Sequence, residues 1–367
     1  MKQVLLNEPR AQLTVVDAPT PSPAEHEVLV RIKVASVCSS TDRKIIAGFH
    51  PPHSSGIAGM QPHHLVEDPR RASATALARF YPRVESSEWA PYPAVMGHEA
   101  AGEIVQVGAG ANAHGLLVDA DRPLRVGDRV ATFKVHCGFA EYAAIGAGNV
   151  AVLPPSLTYD DGSLLEPVVP NYNCLRRCFA LAEPSSVLVL GQGFQGLVTT
   201  QVARALGADF IIVSEPSAKK RRLAIELGAD VAIDPNATDL TDEIHRLTGD
   251  QGVDLVAECG GIEATVQPIP YVVRRGGTVA QIGGIEVPLL FDYGYIHFRH
   301  ITIVPSAFIP TLTAVRHEVA EIFDLVETGQ LRLGGLISHW FPLVEVNGAF
   351  DLFGSAEDAV TKIAINV

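Results

Sequence analysis

The chain has 367 residues, 47% of them hydrophobic and 19% charged, with a formal net charge of −13. This length predicts two domains, at roughly 100–200 residues each. The negative charge argues against nucleic acid as a partner, because phosphate binding needs clustered Lys and Arg. No apolar run approaches the roughly 18 residues of a membrane span. The first residues turn polar too early for a signal peptide, and the five cysteines lack CxxC pairs, so we expect a cytoplasmic protein without a disulfide framework.

The amino-terminal part of the chain has the pattern of a β-rich domain. Residues 27–38 (EVLVRIKVASVC) alternate Val and Ile with other residues, which is the period of a strand. Further short strands are predicted over 101–107, 125–133 and 138–145, where Gly, Pro and Asp supply turns. Together they predict barrel-like structure.

One segment, residues 49–96, interrupts this pattern and reads as an insertion. It is rich in Pro, His, Ser and Ala and has little periodicity beyond a short helix predicted over 70–80. Loops of this length inside compact domains are usually functional or disordered. Its histidines leave three interpretations open, namely a second metal site, a lid or interface, and a plain surface loop; they are His50, His53, His63 and His64.

From about residue 185 the pattern changes to alternating strands and helices. The apolar run 187–190 is followed by glycines, a helical stretch that ends at Leu206 and a second apolar run over 210–213. The alternation continues with a helix over 219–227 and strands over 231–233, 254–257 and 278–282. This order predicts a doubly wound parallel sheet covered by helices on both faces, and therefore an α/β protein.

The glycine-rich sequence GQGFQG at 191–196 predicts a dinucleotide site, because it follows a buried strand and opens a helix. Glu215 lies at the end of the next strand, where a carboxylate binds ribose hydroxyls and repels a 2′-phosphate, which favours NAD over NADP. The basic run 219–222 keeps NADP as an alternative. The residues predicted to contact the cofactor are Gly191, Gly193, Phe194, Gln195, Gly196, Glu215 and Lys220.

Three distant residues supply the ligand types of a catalytic zinc site. His98 stands in the sequence GHE between glycines that let the chain turn, Cys38 ends an early strand, and Glu166 lies in the segment LLEP. Thiolate, imidazole and carboxylate suit a Zn²⁺ that keeps one position open. The other cysteines are more consistent with core packing than with metal binding.

Several motifs occur together and in a recognisable order. They are Cys38 near Asp42, GHEAAGEIVQVG at 97–108, VGDRV at 126–130, GFAEY at 138–142, Glu166-Pro167, the glycine motif and RGGTV at 275–279. With these motifs the chain resembles the zinc-containing medium-chain dehydrogenase/reductase superfamily over nearly its whole length. Among its branches the pattern is most similar to the polyol and butanediol dehydrogenases.

The resemblance implies a role for each candidate metal residue. Cys38, His98 and Glu166 are similar to the catalytic zinc ligands of the family, and in polyol dehydrogenases an acid is often found at the position of Glu166. Glu99 is similar to a neighbouring acid that enters or leaves the metal shell. No four-cysteine lobe is present, so one catalytic zinc and no structural zinc are expected.

The same resemblance implies a proton relay that begins at a hydroxyl two residues after the cysteine, which is Ser40. This chain reads CSSTD at 38–42, one residue longer than the family pattern, so Thr41 is an alternative start of the relay.

The expected architecture is a GroES-like catalytic domain formed by residues 1–171 and 309–367, with a Rossmann-type NAD domain at 172–308 between its two parts. The expected reaction is zinc-dependent hydride transfer between NAD and a secondary alcohol such as a polyol, diol, sugar or cyclitol, in a homodimer or homotetramer. Two alternatives stay open: a zinc-free reductase of quinones or enones on the same fold, and a cofactor-binding protein without activity.

Overall fold

The structure is a computed structural model, and it describes residues 1–8, 10–47, 93–111, 122–133, 137–285, 289, 291–306, 316–354 and 360–367. Most of the predicted insertion, with its four histidines and its short helix, therefore lies outside the described residues. None of the helices in the described ranges has the length and apolarity needed to cross a bilayer.

The strands of the described ranges are β1 (Lys2–Leu6), β2 (Thr14–Asp17), β3 (Glu27–Val37), β4 (Ala94–Val95), β5 (Glu99–Val107), β6 (Arg129–Thr132), β7 (Tyr142–Gly146), β8 (Val150–Val152), β9 (Ser186–Leu190), β10 (Phe210–Ser214), β11 (Val231–Ile233), β12 (Val253–Glu258), β13 (Val273–Gln281), β14 (Thr302–Pro305), β15 (Ile337–Pro342) and β16 (Lys362–Asn366). The α-helices are α1 (Thr41–Ala47), α2 (Tyr159–Ser163), α3 (Leu165–Ala182), α4 (Phe194–Ala205), α5 (Ala218–Glu226), α6 (Leu240–Thr248), α7 (Glu263–Val266), α8 (Ile269–Val272), α9 (Tyr293–Phe298), α10 (Arg316–Glu327) and α11 (Val346–Gly354). Short 3-10 helices cover Ala147–Asn149, Gly334–Leu336 and Leu343–Glu345.

A seven-stranded, mostly antiparallel sheet is built around β3. Its order is β15-β16-β3-β5-β6-β8, and β7 also pairs with β3. Strand β3 is hydrogen-bonded to β5 along one edge and to β7 and β16 along the other. Side chains on both faces of β3 are mostly buried, so its burial pattern does not follow the alternation of the sequence. The predicted β-rich part is confirmed.

The second large sheet has six parallel strands, in the order β11-β10-β9-β12-β13-β14. The order reverses at β9, so the carboxyl ends of β9 and β12 diverge into a crevice of the kind in which dinucleotides bind. Helix α4 begins at this crevice and buries most of its residues against the sheet. The predicted doubly wound α/β fold is confirmed.

Helix α3 lies between the two sheets in sequence, and its buried residues belong to the same hydrophobic cluster as β9 and α4. The expected domain boundary at residue 171 falls inside this continuous helix, and the boundary at residue 309 lies outside the described residues. The division into domains stays a prediction.

Candidate active site

The register of the first sheet brings together residues that are 60 positions apart in sequence. In the pairing of β3 with β5, Ser36 lies opposite Glu99. Cys38 follows the end of β3 and His98 precedes the start of β5, so both lie at the same end of the sheet. Gly97 turns the chain into β5 with φ of 89°, and a Cβ there would lie 2.7 Å from the ring and the backbone nitrogen of Phe139. Only glycine fits this position.

Cys38, His98 and Glu99 form a compact group of metal-ligand atoms. One ligand atom from each of the three lies within 4.8 Å of the others. His98 Nε2 is 3.8 Å from Glu99 Oε1, and that oxygen is buried without a hydrogen-bond partner. An unsatisfied buried carboxylate oxygen is costly, and a cation would satisfy it.

Asp42 orients two members of this group. Its Oδ1 lies 3.0 Å from His98 Nδ1, and its Oδ2 accepts a 2.9 Å hydrogen bond from the Cys38 amide. This leaves Nε2 as the free ligand atom of His98, the arrangement found in carboxylate–histidine–metal triads. The Thr41 amide, at the start of α1, donates to Cys38 Sγ at 3.3 Å.

Lys362 joins the group from the last strand. Ile363 pairs with Val37, so Lys362 lies beside the end of β3. The residue is 4% exposed, and its Nζ is 2.6 Å from Glu99 Oε2. The same Nζ lies 4.7 Å from the ring centroid of Phe194, which belongs to the glycine motif. One buried cation therefore contacts both the ligand group and the predicted cofactor turn.

Burial and charge oppose each other at these groups. Burial alone would lower the pKa of His98, but the Asp42 carboxylate and Cys38 raise it well above its ordinary value. Burial would likewise lower the pKa of Lys362, yet the adjacent Glu99 carboxylate raises it. Burial raises the pKa of Glu166 to about 7, against the opposing effect of His98.

Glu166 lies near the group but outside it. It is half-buried in the first turn of α3 and interacts electrostatically with His98 and Glu99. The ligand atoms brought within 4.8 Å are those of the other three residues, not of Glu166. Ser40 and Thr41 are half-buried at the same end of β3, and their role in a relay stays a prediction.

The glycine motif forms a tight turn between β9 and α4. Gly191 has φ of 86°, which requires glycine. A Cβ at Gly196 would collide with the Gly191 carbonyl, whereas a Cβ at Gly193 would meet no atom within 4 Å. Gly193 therefore borders open space at the amino terminus of α4, where an anion is favoured.

Glu215 and its neighbours shape the far end of this turn. The Glu215 carboxylate accepts hydrogen bonds from the Gln192 amide at 2.7 Å and the Ser217 amide at 2.9 Å. The Arg221 guanidinium donates to the Glu215 carbonyl and pairs with Asp234 at 2.9 Å. Arg221 is thus engaged within the protein, while the Lys220 side chain is half-buried beside it.

Two residues of this site were not predicted as functional. Asp42 is an acid in the first helical turn four positions after the cysteine, a signal that was available. Lys362 is the charged residue of an otherwise apolar strand segment, Lys362–Asn366, which is unusual for a buried strand.

Comparison with known proteins gives two matching family models. The model described as "Alcohol dehydrogenase GroES-like domain" matches residues 75–176, and the model described as "Zinc-binding dehydrogenase" matches residues 196–328. Together they cover more than half of the chain.

Among curated relatives, an alcohol dehydrogenase from Cupriavidus necator is 28% identical over 388 aligned positions, covering 100% of this chain and 98% of that protein. An L-threonine 3-dehydrogenase from Coxiella burnetii is 25% identical, covering 100% and 99%.

Solved structures with the same fold include 2R,3R-butanediol dehydrogenase from Bacillus subtilis, with a TM-score of 0.73 and 21% identity, covering 100% of this chain and 99% of that one. Quinone oxidoreductase from Escherichia coli, complexed with NADPH, has a TM-score of 0.74 and 19% identity, covering 100% of both chains. At these identities the likeness shows the fold alone.

Proposed function

Since the chain belongs to the zinc-containing medium-chain dehydrogenase/reductase superfamily, we propose that this oxidoreductase transfers a hydride between a secondary alcohol and NAD, with a zinc ion held in its active site. The observation that carries the proposal is the position of Lys362. Its Nζ contacts Glu99 of the ligand group and the ring of Phe194 in the glycine motif. The metal-ligand residues and the dinucleotide turn therefore lie on either side of one buried lysine.

The residues present fit a zinc ion. Cys38, His98 and Glu99 supply sulfur, nitrogen and oxygen ligands within one small volume, and Oε1 of Glu99 has no hydrogen-bond partner. Glu166, which interacts electrostatically with His98 and Glu99, would contribute a further oxygen. When bound, the zinc supplies a Lewis acid for a substrate hydroxyl and the nicotinamide supplies a hydride acceptor.

The remaining roles belong to the side chains of this protein. Asp42 holds the His98 ring by its Nδ1 and so keeps Nε2 directed at the ligand group. The hydroxyl of Ser40 or of Thr41 receives the substrate proton and passes it toward solvent. Lys362 pairs with the buried Glu99 carboxylate and holds it in place.

NAD is proposed over NADP. Glu215 directly follows β10, the position at which an acid binds ribose hydroxyls in NAD sites, and its charge would repel a 2′-phosphate. Arg221, in the basic run 219–222, is already bonded to the Glu215 carbonyl and to Asp234. Lys220, on α5, is assigned to cofactor binding.

The proposed substrate is a secondary alcohol of the polyol, diol, sugar or cyclitol kind, or its ketone. The relatives named alcohol dehydrogenase and L-threonine 3-dehydrogenase support oxidation of a secondary hydroxyl without choosing among these. The zinc-free alternative and the alternative without activity make no use of a thiol, an imidazole and a carboxylate gathered at one point.

We also propose that two copies associate through β14. This strand is an edge of the parallel sheet, three of its four residues are exposed, and the neighbouring Phe298 is 76% exposed. Pairing of two such edges about a two-fold axis would cover both. A tetramer built from such dimers is the alternative.

The test is Cys38→Ser, measured by zinc content per chain and by NAD reduction over a panel of diols, polyols, sugars, cyclitols and amino alcohols. We expect loss of bound zinc and of turnover. Cys137→Ser is the matched control, a half-buried cysteine outside the ligand group, and it should keep both. Turnover in the metal-free Cys38→Ser protein would refute the proposal.

A further inference from the structure

Hydrogen bonds among buried and half-buried polar side chains link α3 to the glycine motif. Asn171, on α3 and 1% exposed, donates from Nδ2 to Gln195 Oε1 at 2.7 Å and to Thr199 Oγ1 at 3.0 Å. Gln195 in turn donates from Nε2 to the Pro167 carbonyl at 3.1 Å. Both ends of the Gln195 amide are therefore bonded to α3, although Gln195 itself belongs to α4.

The apolar surroundings make the loss of any of these hydrogen bonds costly in free energy. The neighbours of Asn171 one turn away on α3, Val168 and Leu175, both belong to a large hydrophobic cluster. A polar group that loses its partner in such a place is costly, so the bonds hold the two helices at a fixed separation and orientation.

The point of attachment on α3 is next to the acid of the candidate site. Pro170 lies inside α3 and has no amide hydrogen to donate to the Glu166 carbonyl, which weakens the first turn as a self-supporting helix. The Gln195 side chain bonds to Pro167, the residue directly after Glu166. The support for this turn thus comes from a residue of the cofactor motif.

We propose that Gln195, held by Asn171, is a positioning residue that sets the first turn of α3, and with it the Glu166 carboxylate, relative to the dinucleotide turn. The inference rests on the proposed function, because it concerns the geometry between the zinc ligands and the nicotinamide cofactor. The Gln195 side chain is directed to α3 in this role, and a cofactor contact predicted for Gln195 would fall to its backbone in the glycine turn. The side chain acts through Pro167.

The test compares Gln195→Met with Gln201→Met. Gln201 is a matched control on the same helix, buried where Gln195 is half-buried, with its amide bonded to the Leu197 carbonyl and to the backbone of Arg332. Both changes remove a hydrogen-bonded amide of the same size from α4. They differ in that only Gln195 reaches the turn that carries Glu166.

Two readouts separate positioning from stability. In the cobalt-substituted protein, Gln195→Met should shift the Co²⁺ ligand-field bands, while Gln201→Met leaves them as in the wild type. In the zinc enzyme, Gln195→Met should lower kcat by about 10- to 100-fold with an increased deuterium isotope effect, because small displacements of reacting groups are costly. KM for NAD should change less than about threefold, and Gln201→Met should keep kcat within about twofold.

A Co²⁺ spectrum of Gln195→Met that is identical to the wild type overturns the inference, even if kcat falls, since Glu166 would not have moved. A change in KM for NAD with kcat intact also overturns it, because the role would then be in the cofactor turn alone. If the wild type oxidises no alcohol, the proposed function fails, and the cobalt spectra still decide the inference.

Discussion

Replacing Lys362 with Met tests the buried ion pair at the centre of the site. The change keeps an unbranched side chain of similar length and removes the positive charge. Glu99 is fully buried, and its Oε2 lies 2.6 Å from Lys362 Nζ. The variant therefore leaves a carboxylate in the interior with no cation beside it in the metal-free protein.

The expected cost is large for a single substitution. Breaking a buried pair by removal of one partner lowers the free energy of unfolding by about 3–5 kcal/mol. At about 2–4 °C per kcal/mol for units of 150–250 residues, the unfolding midpoint of the metal-free protein should fall by roughly 10 °C. Added zinc should recover part of this loss, because it binds the folded state and supplies a cation to Glu99.

The assay is thermal unfolding of the metal-free protein at pH 7, measured by calorimetry. Arg246→Met is the control, since Arg246 forms a 2.6 Å pair with Glu243 but is 66% exposed, and its loss should leave the unfolding midpoint nearly unchanged. Lys362→Met combined with Glu99→Gln removes both charges and should restore most of the midpoint. A loss in Lys362→Met no larger than in the control, or strictly additive losses in the double variant, would refute the reasoning.

Three further predictions concern the two halves of the site. Asp42→Asn should weaken zinc binding by about 10- to 100-fold, measured by competition with a chelator, because the amide no longer orients the His98 ring as a carboxylate does. Gly193→Ala should weaken NADH binding, measured by calorimetry, without lowering the unfolding midpoint, whereas Gly196→Ala should lower the midpoint because its Cβ collides with backbone. Glu215→Gln should raise the NADP-to-NAD ratio of kcat/KM by about 10- to 100-fold through loss of a repelling charge, measured with both cofactors.

Each of these has its own control. Asp239→Asn changes a helix-capping aspartate far from the ligand group and should leave zinc affinity unchanged. Glu226→Gln removes an exposed acid from α5 and should leave the cofactor ratio unchanged. Equal effects of the variant and its control would count against the assigned role, as would a Gly193→Ala protein that binds NADH like the wild type.

The parallel sheet was predictable because buried strands of this kind are short, continuous apolar runs separated by helices. The run at 187–190 became β9 with one added residue, and the run at 210–213 became β10. The antiparallel sheet was less predictable. The predicted strand over 125–133 is confined to Arg129–Thr132, because Gly127 with φ of 93° turns the chain just before it.

The candidate site was predictable in its residue types but not in its partners. Cys38 and His98 could be named from their motifs, since thiol and imidazole are rare enough to stand out. Lys362 could not, because its neighbours depend on the pairing of β16 with β3, which is a contact between the two ends of the chain. The periodicity of a local segment does not tell which distant strand it pairs with, or in which register.

This register also explains why the site favours a cation. Cys38, His98 and Glu99 meet where the ends of β3 and β5 adjoin, and the lysine from β16 pairs with only one of the two buried Glu99 oxygens. A buried carboxylate oxygen without a partner is costly, and a divalent ion held by the three ligand residues would satisfy it. Because the last strand must close onto β3 before Lys362 reaches Glu99, the same folding step that completes the sheet completes this ion pair. The free energy of metal binding at this group is therefore linked to the free energy of folding, because it depends on the pairing of β16 with β3.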